Sequence, residues 1–321
     1  LIGWDVREVQ RRQEQMLRIE RLRALRELAS GISHNINNRL TVILGRAQLA
    51  TKLARDEDLQ ADLQAITRAA RQSARAAAEK LGVPYLTDYR QIRGADVVSV
   101  LTPSGLHPRH VSNVAELTDA AYVICEKPLS LTLREAYEVY RRVEKAGKVL
   151  LPVYQNRYNP LVACVKNLID GGRLGKIHQF ICNVLWNRND DYFKIDWHGT
   201  SEFDGGVLYT QASHYVDMVH YFFGEVASHK GEGGALRGFA VYDSVSAVLR
   251  FKSGVVGTIN ATVDVYEKNF ATEFTLVAEK GTIRLSGTNL NQIDFWNVQG
   301  MEKPDLDFKL DHQYGKGHNT L

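Results

Sequence analysis

Residues 121–147 read AYVICEKPLSLTLREAYEVYRRVEKAG, and their reading decides the fold. The apolar run up to Cys125 is a buried strand, and 131–147 repeats apolar residues at helical spacing. Between them stand Glu126, Lys127 and the rigid Pro128, a charged pair at the carboxyl edge of a strand, where open α/β sheets hold ligands. Working outward, DVVSVL (96–101) and KVLLPVY (148–154) are further valine- and leucine-rich strands, and 107–118 is a second helical pattern. The order β-α-β-α-β predicts a parallel sheet with right-handed crossovers. TPSGLH (102–107) closes the first strand with turn residues at the same edge. From 176 onward the pattern changes to longer alternating strands, as in 245–265, 273–287 and 292–298, with one helix near 206–223. A mostly antiparallel sheet carrying that helix is expected there.

A chain of 321 residues, 44% hydrophobic and 24% charged, has room for two cores of ordinary size. A net charge of +3 is too small to argue for nucleic acid. Cys125, Cys164 and Cys182 have no metal-ligand spacing, so no zinc site, other metal site or disulfide framework is expected, and a reducing, cytoplasmic setting is. No apolar run is long enough to span a membrane, and no signal-peptide pattern opens the sequence.

Composition shifts near residue 81. Up to that point there is no proline and a single aromatic, Trp4, and 13 of the 15 basic residues are arginine; the remaining 25 are split almost evenly. This part is helical by period: Val9, Met16, Ile19, Leu22, Leu25, Leu28, Ile32 and Ile36 recur at three- and four-residue steps, continued by Leu40, Ile43, Leu44 and Leu49. ARDEDLQ (54–60) marks a turn, and Leu59, Leu63, Ile66, Ala70 and Ala74 run back. A helical hairpin results, and a four-helix homodimer is the economical way to bury its seam.

Within it, LRELASGISHNINNRLTVILGRAQLA (25–50) resembles the dimerisation and phosphoacceptor domain of sensor histidine kinases, over about residues 15–77. The resemblance places the phosphorylatable histidine at His34. The next residue is Asn35 where that family usually has an acid, and no ATP-lid pattern follows, so the chain is not expected to phosphorylate His34 alone.

The second part carries its own resemblance. VLTPSGLH, VICEKPLSLT, YQNRYNP and GGVLYTQASHYVDMVHYFFG, in this order, are similar to the Gfo/Idh/MocA oxidoreductases, most of all to the branch acting on nucleotide-linked N-acetyl amino uronic acids, over about 74–321. The resemblance implies NAD or NADP as cofactor and a nucleotide sugar as substrate. It makes Lys127 and His214 the catalytic acid-base pair and assigns Thr102, Pro103, His107, Glu126, Lys127 and Pro128 to the cofactor. It assigns Thr210 and Gln211 to the substrate, while Asn156, Arg157, Trp197 and His198 are either substrate contacts or packing and capping residues. Many members have aspartate four residues before the histidine, where this chain has Thr210; Asp217, a turn after His214, is expected to orient it.

A dinucleotide fold of this kind opens with a strand, a G-x-G-x-x-G turn and a helix. No such glycine pattern precedes residue 94, and GEGGALRG (231–238) comes too late. Weak cofactor binding is therefore expected, and the end of the sequence, YGKGHNTL, is read as clipped. The predicted fold class is α/β plus α+β: a helical hairpin over 1–81, a partial Rossmann-like parallel sheet over 82–154 and a mostly antiparallel α+β domain over 155–321. The expected function is a sugar-nucleotide dehydrogenase scaffold, either active or with its turnover lost; the alternative is a dimeric phosphotransfer module with a sugar-binding sensor half.

Overall fold

The computed structural model describes residues 57–194 and 197–306. Two compact units are present, one comprising 1–93 with 101–103, the other 94–100 with 104–321. In the first, helix α1 spans Glu57–Leu81, over the second apolar series that the sequence reads as helical. His34 and the 16–49 stripe lie outside the described residues.

The second unit holds two sheets. Strands β1 (Val97–Val100), β2 (Tyr122–Cys125) and β3 (Val149–Pro152) form a parallel three-stranded sheet in that order. The crossovers are α2 (His107–Leu117) and α3 (Leu133–Lys145), as the alternating pattern predicts. Thr132 starts α3 by accepting the Glu135 N–H at 3.2 Å and donating to the Glu135 carboxylate at 2.9 Å. Val111, Val114, Ala115, Val123, Cys125, Val139 and Val143 are among the apolar residues buried in this part.

Helix α4 (Pro160–Asp170) leads to the second sheet. Its cap, Asn159, accepts the N–H of Leu161 at 2.9 Å and donates to the carbonyl of Asn289 at 2.8 Å. The strands are β4 (Ile177–Leu185), β5 (Val226–Gly234), β6 (Ser244–Phe251), β7 (Val256–Thr262), β8 (Ala271–Ala278), β9 (Gly281–Ser286) and β10 (Gln292–Val298). They lie in the order β10-β9-β8-β4-β7-β6-β5, antiparallel except for β4 beside β7. The helix expected near 206–223 is a single turn, Val207–Thr210, followed by α5 (Ser213–Phe223). Helix α5 buries Tyr215, Met218, Val219, Phe222 and Phe223. Phe223 meets Phe180 at 5.1 Å and Phe251 at 5.4 Å between ring centres, and Phe222 meets Phe274 at 5.3 Å. Burying these rings fixes α5 on the sheet, which sets where the side chains on its first turns stand. No helix among the described residues is long and apolar enough to cross a membrane.

Candidate functional site

The Glu126-Lys127-Pro128 turn leaves β2 at its carboxyl end. The Glu126 N–H donates to the carbonyl of Val100 at 3.0 Å, so β1 still holds the chain one residue past β2. The Lys127–Pro128 peptide is cis. His107, the buried first residue of α2, sets its Nδ1 2.6 Å from the carbonyl oxygen of Pro128 and ties the turn to that helix. Lys127 Nζ donates to the carbonyl oxygen of Thr210 at 2.5 Å. Burial holds the Lys127 ammonium below its ordinary proton affinity, opposed by Glu126, reinforced by Arg188 and opposed again by Asp204.

Thr210 and His214 are positioned by a glycine turn. Gly206 has φ 88°, and a Cβ there would come within 2.7 Å of the Tyr242 carbonyl, so the chain enters the turn Val207–Thr210 only with glycine at this position. The Thr210 hydroxyl bonds back to the Gly206 carbonyl at 3.0 Å, leaving its own carbonyl to Lys127. His214, on the first turn of α5, is 8% exposed. Its Nε2 lies 3.1 Å from Nε2 of buried Gln155, and Tyr154 meets its ring edge-on at 6.3 Å.

One turn further, Asp217 does not reach back to His214 as expected. It is clamped by Arg157, whose Nε and Nη2 donate to its two oxygens at 2.8 and 2.6 Å, while the guanidinium stacks over Tyr221 at 4.9 Å. A bidentate guanidinium satisfies both carboxylate oxygens, which leaves Arg157 a structural task. Burial raises the Tyr215 phenol well above its ordinary proton affinity, with Thr272 and Asn156 beside it acting in the opposite direction.

The remaining wall is aromatic and polar. Gln211 accepts from Arg188 Nη2 at 2.7 Å and donates to the Tyr192 hydroxyl at 2.9 Å. Tyr192 stacks on His198 with ring centres 3.8 Å apart, and Trp197 meets His198 edge-on. His198 Nδ1 lies 2.7 Å from the Tyr192 carbonyl, and burial lowers its proton affinity. Tyr192, Asp204, Thr210 and Gln211 line one small pocket of about 10 Å³ with Phe193, Phe239 and Tyr242.

The expected residues thus fall into two groups. Glu126, Lys127, Pro128, His107, Thr210 and Gln211 form one connected set, and His214 follows Thr210 by four residues on the next helix. Thr102 and Pro103 belong to the first unit, with Pro103 buried. The sequence reading does not single out Arg188, Tyr192, Asp204 or Gln155. The signal for Arg188 is WNRNDDY (186–192), where a cation at a strand exit is framed by Trp186 and Tyr192, over which its guanidinium stacks at 5.0 and 5.3 Å.

A nicotinamide fits this edge at one end only. Lys127 presents a half-buried amine there, beside Glu126, whose carboxylate accepts the Lys127 backbone N–H at 3.2 Å. The sequence holds no G-x-G-x-x-G turn of the kind that cradles a pyrophosphate.

A family model described as an oxidoreductase family with an NAD-binding Rossmann fold matches residues 41–154, and one described as the GFO/IDH/MocA C-terminal domain matches 162–284. The first match begins inside the segment that resembles a histidine kinase domain, for which no comparison gives support. The WlbA dehydrogenase of Bordetella pertussis, solved with NADH and UDP-GlcNAcA, is 34% identical with a TM-score of 0.68, over 74% of this chain and 71% of that one. Levoglucosan dehydrogenase of Pseudarthrobacter phenanthrenivorans is 29% identical over 214 residues, 58% of this chain and 54% of its own length. Myo-inositol 2-dehydrogenase of Thermotoga maritima is 28% identical over 190 residues, 57% and 55% of the two. The chain spans about half the length of the curated relatives it matches.

Proposed function

Because the chain belongs to the Gfo/Idh/MocA family of NAD-binding oxidoreductases, we propose that it oxidises a hydroxyl of a nucleotide-linked amino uronic acid, with Lys127 as the base. The carrying observation is the half-buried Lys127, whose Nζ is held on the Thr210 carbonyl at the carboxyl edge of β2. NAD, when bound, accepts the hydride from the carbinol carbon. The hydroxyl proton then has to leave as the carbonyl forms, and it passes to the neutral Lys127 amine, which becomes an ammonium. Burial favours the neutral amine, and the Thr210 carbonyl and the Glu126 and Asp204 carboxylates stabilise the cation that follows. His214, oriented by Gln155 and Tyr154, is the second acid-base group and relays that proton outward. The stacked Tyr192 and His198 rings with Trp197 offer a flat apolar wall for the sugar.

A substrate panel tests this reading. Incubated with NAD, the chain is expected to produce reduced nicotinamide with UDP-GlcNAcA and not with levoglucosan or myo-inositol. Reduction with either of the latter and none with UDP-GlcNAcA overturns the assigned substrate class.

A further inference from the structure

Arg188 is a cation held by neutral partners. It is half-buried just beyond β4, and its guanidinium stacks over Trp186 at 5.0 Å and over Tyr192 at 5.3 Å. Nη1 donates to the Asn187 carbonyl at 2.8 Å and, more weakly, to the Asn269 side-chain oxygen at 3.5 Å; Nη2 donates to the Gln211 side-chain oxygen at 2.7 Å. Two other arginines of this unit have carboxylate partners, Arg157 in Asp217 and Arg237 in Asp190. Arg188 has no carboxylate at ion-pair distance among the described residues. A guanidinium carries five N–H donors, so these three bonds leave donors to spare, and a partly desolvated cation without a counter-ion is a receptor for an anion.

Resting on the reading of a nucleotide-linked amino uronic acid as substrate, we propose that Arg188 binds the carboxylate of the sugar and so separates uronic acids from neutral sugars. Arg188 and Lys127 are anchored on adjacent residues, Arg188 on the Gln211 side chain at 2.7 Å and Lys127 on the Thr210 carbonyl at 2.5 Å. The group that reads the acid and the amine that takes the hydroxyl proton are thereby tied to one turn. A uronic acid ring carries both functions that these two cations serve, a carboxylate and a reacting hydroxyl. Stacking on Trp186 and Tyr192 uses the faces of the guanidinium and leaves its edge, where the N–H groups point, to a planar carboxylate. The same stacking, with the bonds to Asn187 and Gln211, fixes the fork before the sugar arrives, so little freedom is lost on binding. A neutral CH2OH in place of the carboxylate leaves the cation without a counter-ion, which is a penalty on the wrong substrate.

The test compares UDP-GlcNAcA with UDP-GlcNAc, the same nucleotide sugar with CH2OH in place of the carboxylate, in the parent, Arg188→Gln and Arg188→Lys. In Arg188→Gln, KM for UDP-GlcNAcA is expected to rise about 10- to 100-fold, the worth of one charge-assisted hydrogen bond, while KM for UDP-GlcNAc changes by no more than about twofold. Little change in kcat is expected, because the carboxylate is bound alike in ground and transition states. Arg188→Lys, which keeps the cation but not the fork, should restore part of the preference for the acid. Arg188→Met repeats the neutralisation should the amide variant not fold. Equal losses for both sugars would place Arg188 on the diphosphate or in packing against Trp186 and Tyr192, and overturn the proposal. A parent without preference for the acid, or a preference that survives in Arg188→Gln, overturns it as well. If the parent oxidises neither sugar, the proposed function falls, while calorimetric binding of the two nucleotide sugars to parent and Arg188→Gln still decides the role of Arg188 by the same comparison.

Discussion

Lys127 holds its ammonium against the backbone carbonyl of Thr210 at 2.5 Å, across 83 positions of sequence. The contact joins the Glu-Lys-Pro turn, at the edge of the parallel sheet, to the turn that delivers His214 onto the antiparallel one. Since a carbonyl accepts from a cation and gives nothing to a neutral amine lone pair, it favours the protonated state that follows proton transfer.

That relationship predicts the behaviour of Lys127→Met. The variant keeps the aliphatic stem and loses the amine, so turnover is expected to fall by at least about 10²- to 10⁴-fold, the usual contribution of a general base. The fold should persist, because the change removes a desolvated charge. Thermal melting and circular dichroism check the second half, and a melting point lowered by more than a few degrees would show that the ammonium is structural.

The same lysine leaves a signature in stability. Its proton affinity is lower in the folded chain than the ordinary 10.5 of a free lysine. Between the two values the unfolded chain binds more protons than the folded one, so unfolding free energy rises with pH through that window and is lowest below it. Denaturant titrations from neutral pH up to about pH 10.5 should show this rise in the parent and a shallower one in Lys127→Met. Identical slopes would place the amine in water.

Arg157 is predicted to matter for stability before it matters for substrate. Asp217→Ala removes both acceptors of the guanidinium, and a cost of about 1–3 kcal/mol is expected, discounted because part of the arginine faces solvent. Urea unfolding measures it. A variant that unfolds like the parent but raises KM for the sugar would return Arg157 to the list of substrate contacts.

Cofactor affinity is predicted to be weak. Pyrophosphate is ordinarily held by backbone N–H groups at a glycine-tight helix start, and the sequence has no G-x-G-x-x-G pattern. Loss of two or three charge-assisted hydrogen bonds, each on the order of 1.5–3 kcal/mol, weakens binding by about three to six powers of ten. Calorimetry with NAD and NADP should reach saturation only at high concentration. Saturable binding tighter than about 10 μM would mean that other residues of the chain build a phosphate site.

Much of the architecture was legible because strands and helices of the second unit keep clean periods. The valine-rich runs at 96–101 and 121–125 are β1 and β2, and the amphipathic stretch after Pro128 is α3. The single helix expected near 206–223 breaks at Gln211–Ala212, a step that the apolar pattern does not mark because Ala212, Tyr215 and Met218 stay buried throughout. At the site, the Glu126-Lys127 pair was readable as charge at a strand end, while His107 came only from the family resemblance and sits against the Pro128 carbonyl. Arg188, Asp204 and Gln155 were not readable, since their roles depend on pairing across the fold: Arg188 with Gln211, Gln155 with His214, and Asp204 with the electrostatics of Lys127. Asp217 was misread for the same reason, its partner Arg157 lying 60 positions away.

The most direct test of the central claim compares parent and Lys127→Met at saturating NAD with UDP-GlcNAcA, following the absorbance of reduced nicotinamide. The account predicts sugar-dependent reduction by the parent, rising with pH as Lys127 loses its proton, and none above background in the variant. Equal rates in the two proteins, or a parent rate indifferent to the sugar, would contradict it.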